Sequence, residues 1–361
     1  MGSRFFYRLA AALACMLWSG HLAAQETSDL PSVTSLKCII NCKNTTEPKA
    51  LDKHTADYPG FPPSDYPMEG TVILQATVTK EGQLKDQEVI RVIGPQIFAD
   101  KALEATKEWR YEPATRNGVP VDRPYWVVHL QFRFEPASTG ASDSVFRISR
   151  EATALSNEGK HAEAIALLVP VLSKPKLNFY ERETVSLQLA LSYLHQGDVL
   201  TAREYLDEMA LIGDTFLSKE MRQTFWRLTI VANIRTGQLL EAEDAFGKLA
   251  SLQTIASDDP LNKAMQSVTE RIKTDKLLKS MGRITKGPIA PIWQHSLMRH
   301  DIAIANVHGK LDHLIMICGE HAIATPYSEK AEWHIPRSWN TCKLSAFGDP
   351  GTTFTLLETD D

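Results

Sequence analysis

Glu69-Gly70-Thr71-Val72-Ile73-Leu74-Gln75-Ala76-Thr77-Val78 is the stretch that decides the fold of the first globular part of this 361-residue chain. Val72, Leu74, Ala76 and Val78 fall on one side, while Thr71, Gln75, Thr77 and Thr79 interleave on the other. A period of two with one apolar face is a half-buried strand. Glu81-Gly82 turns the chain, because glycine tolerates positive φ. A second apolar run through Val89, Ile90, Val92 and Ile93 follows, closed by Gly94-Pro95. From Ile97 to Arg110, the residues Ala99, Ala102, Leu103, Thr106 and Trp109 lie near one face of a 3.6-residue period, which predicts a helix stopped by Pro113. After Asn117-Gly118-Val119-Pro120-Val121 comes a last strand. It puts Trp126, Val128, Leu130, Phe132 and Phe134 on one face and Val127, His129, Gln131 and Arg133 on the other.

The aromatic stripe Trp126, Phe132 and Phe134 reads as a core face under the helix that carries Trp109. The functional part of that strand is its backbone. At a sheet edge, unpaired N–H and C=O groups accept another strand, and burying them unpaired is costly.

Glu69-Gly70-Thr71-Val72, Glu81-Gly82, Ala102-Leu103-Glu104-Ala105, Trp109-Arg110-Tyr111-Glu112-Pro113-Ala114 and Asn117-Gly118-Val119-Pro120-Val121 follow one another in an order and spacing that resembles the C-terminal domain of TonB. The likeness covers about residues 58–136. It implies a ββαβ fold that engages the TonB box of outer-membrane receptors by strand addition, with Trp126 to Phe134 as the peptide-binding edge. A role in outer-membrane transport is implied with it, without a cofactor. Where such domains begin with Tyr-Pro and a short helix, this chain has Tyr58-Pro59-Gly60-Phe61-Pro62-Pro63-Ser64-Asp65-Tyr66-Pro67, whose added prolines oppose a helix.

The N-terminus has the pattern of a cleaved secretory signal over residues 1–24. Arg4 and Arg8 form a basic region, Leu9 to Trp18 an apolar core, and Leu22-Ala23-Ala24 a small-residue cleavage site. The apolar run is too short to span a bilayer, which needs roughly 20 residues. A periplasmic location is therefore expected. Formal net charge is −5, and loss of Arg4 and Arg8 makes the chain more acidic still, which argues against a nucleic-acid partner. Of five cysteines, Cys15 leaves with the signal; in an oxidising compartment the other four are expected as Cys38–Cys42 and Cys318–Cys342 disulfides.

Residues 25–57 are polar and aperiodic, a linker pinned by the small Cys38–Cys42 loop. A second junction follows residue 136, and from 145 to 284 the chain turns to helical patterns. Gly159, Gly197 and Gly237 each end a predicted helix and are each followed five residues later by alanine, at Ala164, Ala202 and Ala242. The glycine permits a sharp turn and the alanine a close helix contact. This region resembles a degenerate tetratricopeptide array, whose stacked helix pairs expose a groove for protein partners. Residues 287–361 return to short strands, expected as a small β-sandwich or barrel tied by Cys318 and Cys342. The whole is a multidomain α+β chain.

No nucleophile elbow, phosphate loop or metalloprotease helix motif occurs. His295, His300, His308, His313, His321 and His334 crowd the C-terminal part without a recurrent ligand spacing, and read as turn and surface residues. No catalytic residue, metal or cofactor is assigned. The first functional reading is a periplasmic TonB-like adaptor that binds extended peptides. A retained N-terminal anchor would instead make it an energy transducer meeting ExbB and ExbD. A C-terminal histidine site would make it an enzyme or metal-binding protein.

Overall fold

The computed structural model describes residues 45–53, 56–59, 68–133, 140–174, 176–213, 216–285, 292–318, 321–339 and 342–360. The signal segment, Cys38, Cys42, Phe134 and most of the proline-rich stretch before Met68 lie outside them. Among the described residues, no helix is long and apolar enough to cross a membrane.

The first body is a three-stranded antiparallel sheet with one helix. Strand β3 (Gly70–Val78) lies at the centre, between β4 (Leu84–Ile93) and β8 (Arg123–Phe132), and helix α1 (Ile97–Thr106) covers one face. Val72, Leu74 and Val78 are fully buried there, as the period-two pattern requires, and they pack with Phe98, Ala102, Trp109, Val128, Leu130 and Phe132. Phe98 of α1 stacks on Phe132 of β8 with ring centroids 4.5 Å apart.

The helix is shorter than its periodicity predicts. It ends at Thr106, whose hydroxyl donates to the Ala102 carbonyl, and by Arg110 the chain is extended. The cause is a pairing that the sequence hides: β5 (Arg110–Glu112) bonds to β2 (Lys49–Asp52). Likewise β1 (Thr45–Thr46) pairs with β6 (Ala114–Arg116), which forms a hairpin with β7 (Val119–Val121). Asn117 and Gly118 both have positive φ, 52° and 79°, the conformation of a tight two-residue hairpin turn. The end of the polar stretch read as a linker thus adds two strands to this body.

The second body is helical. Helices α2 (Asp143–Asn157) and α3 (His161–Leu172), α4 (Phe179–Gln196) and α5 (Val199–Ile212), and α6 (Lys219–Thr236) and α7 (Leu239–Leu252) pack as three hairpins, followed by α8 (Pro260–Thr274). Gly159, Gly197 and Gly237 take φ of 77°, 85° and 82° at the three turns, and Ala164, Ala202 and Ala242 are fully buried. The glycine-alanine pattern therefore reports the hairpins directly.

The third body is a sandwich of two four-stranded antiparallel sheets. One has the order β10 (Ile292–Ser296), β15 (Cys342–Gly348), β12 (Leu311–Cys318), β13 (His321–Pro326); the other has β14 (Glu332–His334), β11 (Asp301–His308), β16 (Thr353–Thr359), β9 (Leu277–Arg283). Cys318 and Cys342 face each other across β12 and β15 and form a disulfide within the apolar core. Strand β9 falls where the helical pattern was expected to run on to residue 284. Its inward residues are Leu278, Ser280 and Gly282, so the alternation carries too few apolar side chains to be read as a strand.

Candidate peptide-binding edge

Strand β8 meets β3 in register from Gly70 opposite Phe132 to Ala76 opposite Trp126. It ends the sheet order, and among the described residues no strand pairs with its outer side. In an antiparallel ladder, alternate residues direct N–H and C=O outward. Pro124 near the start of β8 agrees with an edge position, since proline lacks the N–H that a central strand must donate.

The expected alternation holds along the strand. Val128, Leu130 and Phe132 are buried, and Trp126 is partly buried with its ring edge-on to Tyr111 at 6.2 Å. On the opposite face Val127 is 58 % exposed and His129 is also exposed. Desolvation against the sheet holds the His129 imidazole below its ordinary pKa. Arg133 lies just beyond the strand and is exposed. Gln131 is different: its side-chain amide donates to the Ile212 carbonyl at the end of α5, 2.5 Å away.

That contact belongs to a seam missing from the sequence reading. The face of the sheet turned away from α1 is covered by the helical body at its Ile93 end, while Val127 and His129 stay exposed. Ile93 of β4 packs with Phe179, Ile212 and Phe216, and the rings of Phe179 and Phe216 lie 4.7 Å apart. Arg91 pairs with Glu208 of α5 at 3.2 Å. Glu69, at the head of β3, is fully buried and accepts a 2.7 Å bond from the Phe179 N–H. A carboxylate is favoured at that helix start, where the first N–H groups lack partners and the helix dipole is positive. The signal for this seam was the second apolar set Ile73 and Ile93 facing the "wrong" way; a lone sheet with one solvated face would not need it.

Elsewhere, four of the crowded histidines each take a separate partner. His300 pairs with Asp360, His334 with Asp301, His313 stacks on Phe347, and His295 is buried beside Glu358. Among the described residues no group of three or more His, Cys, Asp or Glu is placed to hold a metal.

Known proteins resemble parts of this chain. Residues 66–135 match the family model described as Gram-negative bacterial TonB protein C-terminal. A 68-residue stretch, 19% of this chain, is 31% identical to Protein TonB of Vibrio cholerae serotype O1, of which it spans only 27%. The Sgt2 TPR domain from Aspergillus fumigatus is similar over 38% of this chain and 83% of its own, at 16% identity and a TM-score of 0.31. The sheet that ends in β8 is a TonB C-terminal domain, set here within a chain that continues into a helical array and a β-sandwich.

Proposed function

We propose that this protein is a periplasmic binding protein that captures an extended peptide segment along β8, in connection with outer-membrane transport. The observation that carries the reading is the outer side of β8, which pairs with no described strand while one face of its sheet packs on α1 and the other is braced at its Ile93 end by the helical body. A strand held in register by its buried face and by the Gln131 contact presents its outward N–H and C=O groups in fixed positions, so a partner pays little to order them. The TonB C-terminal match supports the class of partner, an extended segment of an envelope protein.

The test compares His129→Pro with His129→Ala in the full chain, using as probe a synthetic peptide that carries a TonB box. Proline removes a ladder donor, whereas alanine changes only an exposed side chain. Binding lost in His129→Pro and kept in His129→Ala, with both variants folded by circular dichroism, supports strand addition. Equal binding by both variants, or none by the unaltered protein, overturns it.

A further inference from the structure

The helical array and the sandwich meet at a buried cluster that neither the edge strand nor the TonB-like sheet uses. His295 of β10 lies between two carboxylates with its side chain fully inaccessible. On one side its Nε2 is 2.8 Å from Oε1 of Glu358 on β16, itself fully buried. Oε2 of Glu358 accepts the N–H groups of Met298 and Arg299, at 2.6 and 3.2 Å. On the other side Nδ1 lies 3.8 Å from Oε2 of Glu241, which comes from α7 in the helical body. Oε1 of Glu241 accepts the Ser296 N–H at 2.8 Å, so this carboxylate is fixed against β10.

The hydrogen count decides what this cluster is. Oε2 of Glu358 is saturated by backbone donors, and the short contact to Nε2 needs one hydrogen. Nδ1 and Oε2 of Glu241 are both buried without a hydrogen-bond partner. A neutral imidazole with its hydrogen on Nε2 would turn a bare nitrogen lone pair toward a carboxylate, and leaving two buried acceptors facing each other is costly. A hydrogen on each ring nitrogen removes the conflict: Nε2 donates to Glu358, and the charged ring pairs with Glu241 across 3.8 Å, beyond hydrogen-bond reach. We infer that Glu241, His295 and Glu358 form a proton-dependent latch between array and sandwich, closed when the imidazole carries a hydrogen on both nitrogens.

The surrounding charges leave the proton to this cluster. Arg299, just after β10, turns its guanidinium to Asp360 and to the Ile272 and Asp275 carbonyls at the end of α8. Lys343 of β15, opposite Ser296, is exposed. Trp293 stacks beside His295 with centroids 5.3 Å apart and contributes no charge. Glu241 and Glu358 are the charged groups that pair with the ring, and Asp207 of α5 lies close enough to Glu241 to feel its charge. Loss of the second hydrogen as pH rises sets Nδ1 against Glu241 and weakens docking; protonation at lower pH restores it.

The test reads the ring and the interface separately, in the full chain. Nitrogen NMR should show hydrogen on both ring nitrogens of His295 at neutral pH. The protection factor of the Ser296 amide, which donates to Glu241, should fall by up to about tenfold per pH unit between the ordinary histidine pKa, about 6.5, and the titration seen in the same spectra, and level off above it, as linkage of one proton requires. Glu241→Gln keeps the oxygen that accepts from Ser296 and supplies an N–H to a bare Nδ1, so in this variant that dependence should vanish while the domains stay docked. A bare Nδ1 at neutral pH, a flat profile in the unaltered protein, or the same slope in Glu241→Gln overturns the latch.

Discussion

Replacing Phe179 by alanine tests whether the TonB-like sheet and the helical array stand as one unit. Its side chain is fully buried where α4 begins, against Phe216, Ile212 and Ile93 of the sheet. A buried phenylalanine cut back to alanine costs about 3–5 kcal/mol, through lost transfer energy and the cavity left behind. At about 1.4 kcal/mol per tenfold, the folding equilibrium should shift by roughly two to nearly four powers of ten. The backbone N–H that Glu69 accepts is still present in the variant, so the loss reports apolar packing across the seam and not the helix start. Native-state hydrogen exchange is the assay, because it resolves each element. The expected result is a matching fall in protection in β3, β8, α4 and α5. A loss confined to α4 and α5, with β3 and β8 as protected as before, would refute the reasoning and show a sheet that holds itself.

Three further outcomes follow from the packing. Alanine at Gly197 meets only the strain of positive φ, about 1–2 kcal/mol, whereas a Cβ at Gly237 would sit 1.9 Å from the Lys279 carbonyl of β9; Gly237→Ala should therefore lower the unfolding midpoint clearly more, and equal shifts would contradict the docking of β9. The Cys318–Cys342 bridge closes a sequence separation of 24, worth about 3.5 kcal/mol by loop entropy; a double serine variant with an unchanged denaturant midpoint would disprove that contribution. Because His129 titrates below its ordinary value in the fold, the unfolded chain binds its proton first, so its contribution is present above the ordinary histidine pKa, about 6.5, and is lost as pH falls through the folded value. The stability difference between the unaltered protein and His129→Gln should move against the former on acidification, and a difference independent of pH would count against the desolvated ring.

The parts of the fold written in local patterns were legible. β3 and β8 alternate cleanly because one face of each enters a core, and the glycine-alanine spacing marks each helix hairpin because both residues answer to the same close turn. The terminal place of β8, on which the binding proposal stands, was a condition in the sequence reading and comes from the pairing of β8 with β3. What escaped was set by distant partners. Thr45, Thr46 and Lys49 to Asp52 show no strand periodicity of their own and become strands only because β5 and β6 offer a ladder. β9 turns Ser280 and Gly282 inward where Ser280 bonds the Gly237 carbonyl and Gly282 makes room for Phe354. Gln131 reads as an ordinary surface residue of a strand, and its hydrogen bond to Ile212 exists only because a helical body lies over that face. His295 carries no motif at all; its setting comes from α7 and β16, more than fifty residues away on either side.

The grip of Glu69 on the start of α4 has a mechanical consequence. A pull applied along β8 runs at right angles to the ladder bonds that join it to β3, so those bonds share the load in shear and do not unzip in succession. β3 begins next to Glu69, and α4 extends for 18 residues, about 27 Å at 1.5 Å per residue. Tension entering at the edge strand therefore leaves the sheet by two routes, through Glu69 into α4, a stiff rod, and through Gln131 and the Arg91–Glu208 pair into α5, so the α4–α5 hairpin is the strut on which a tug at β8 is borne.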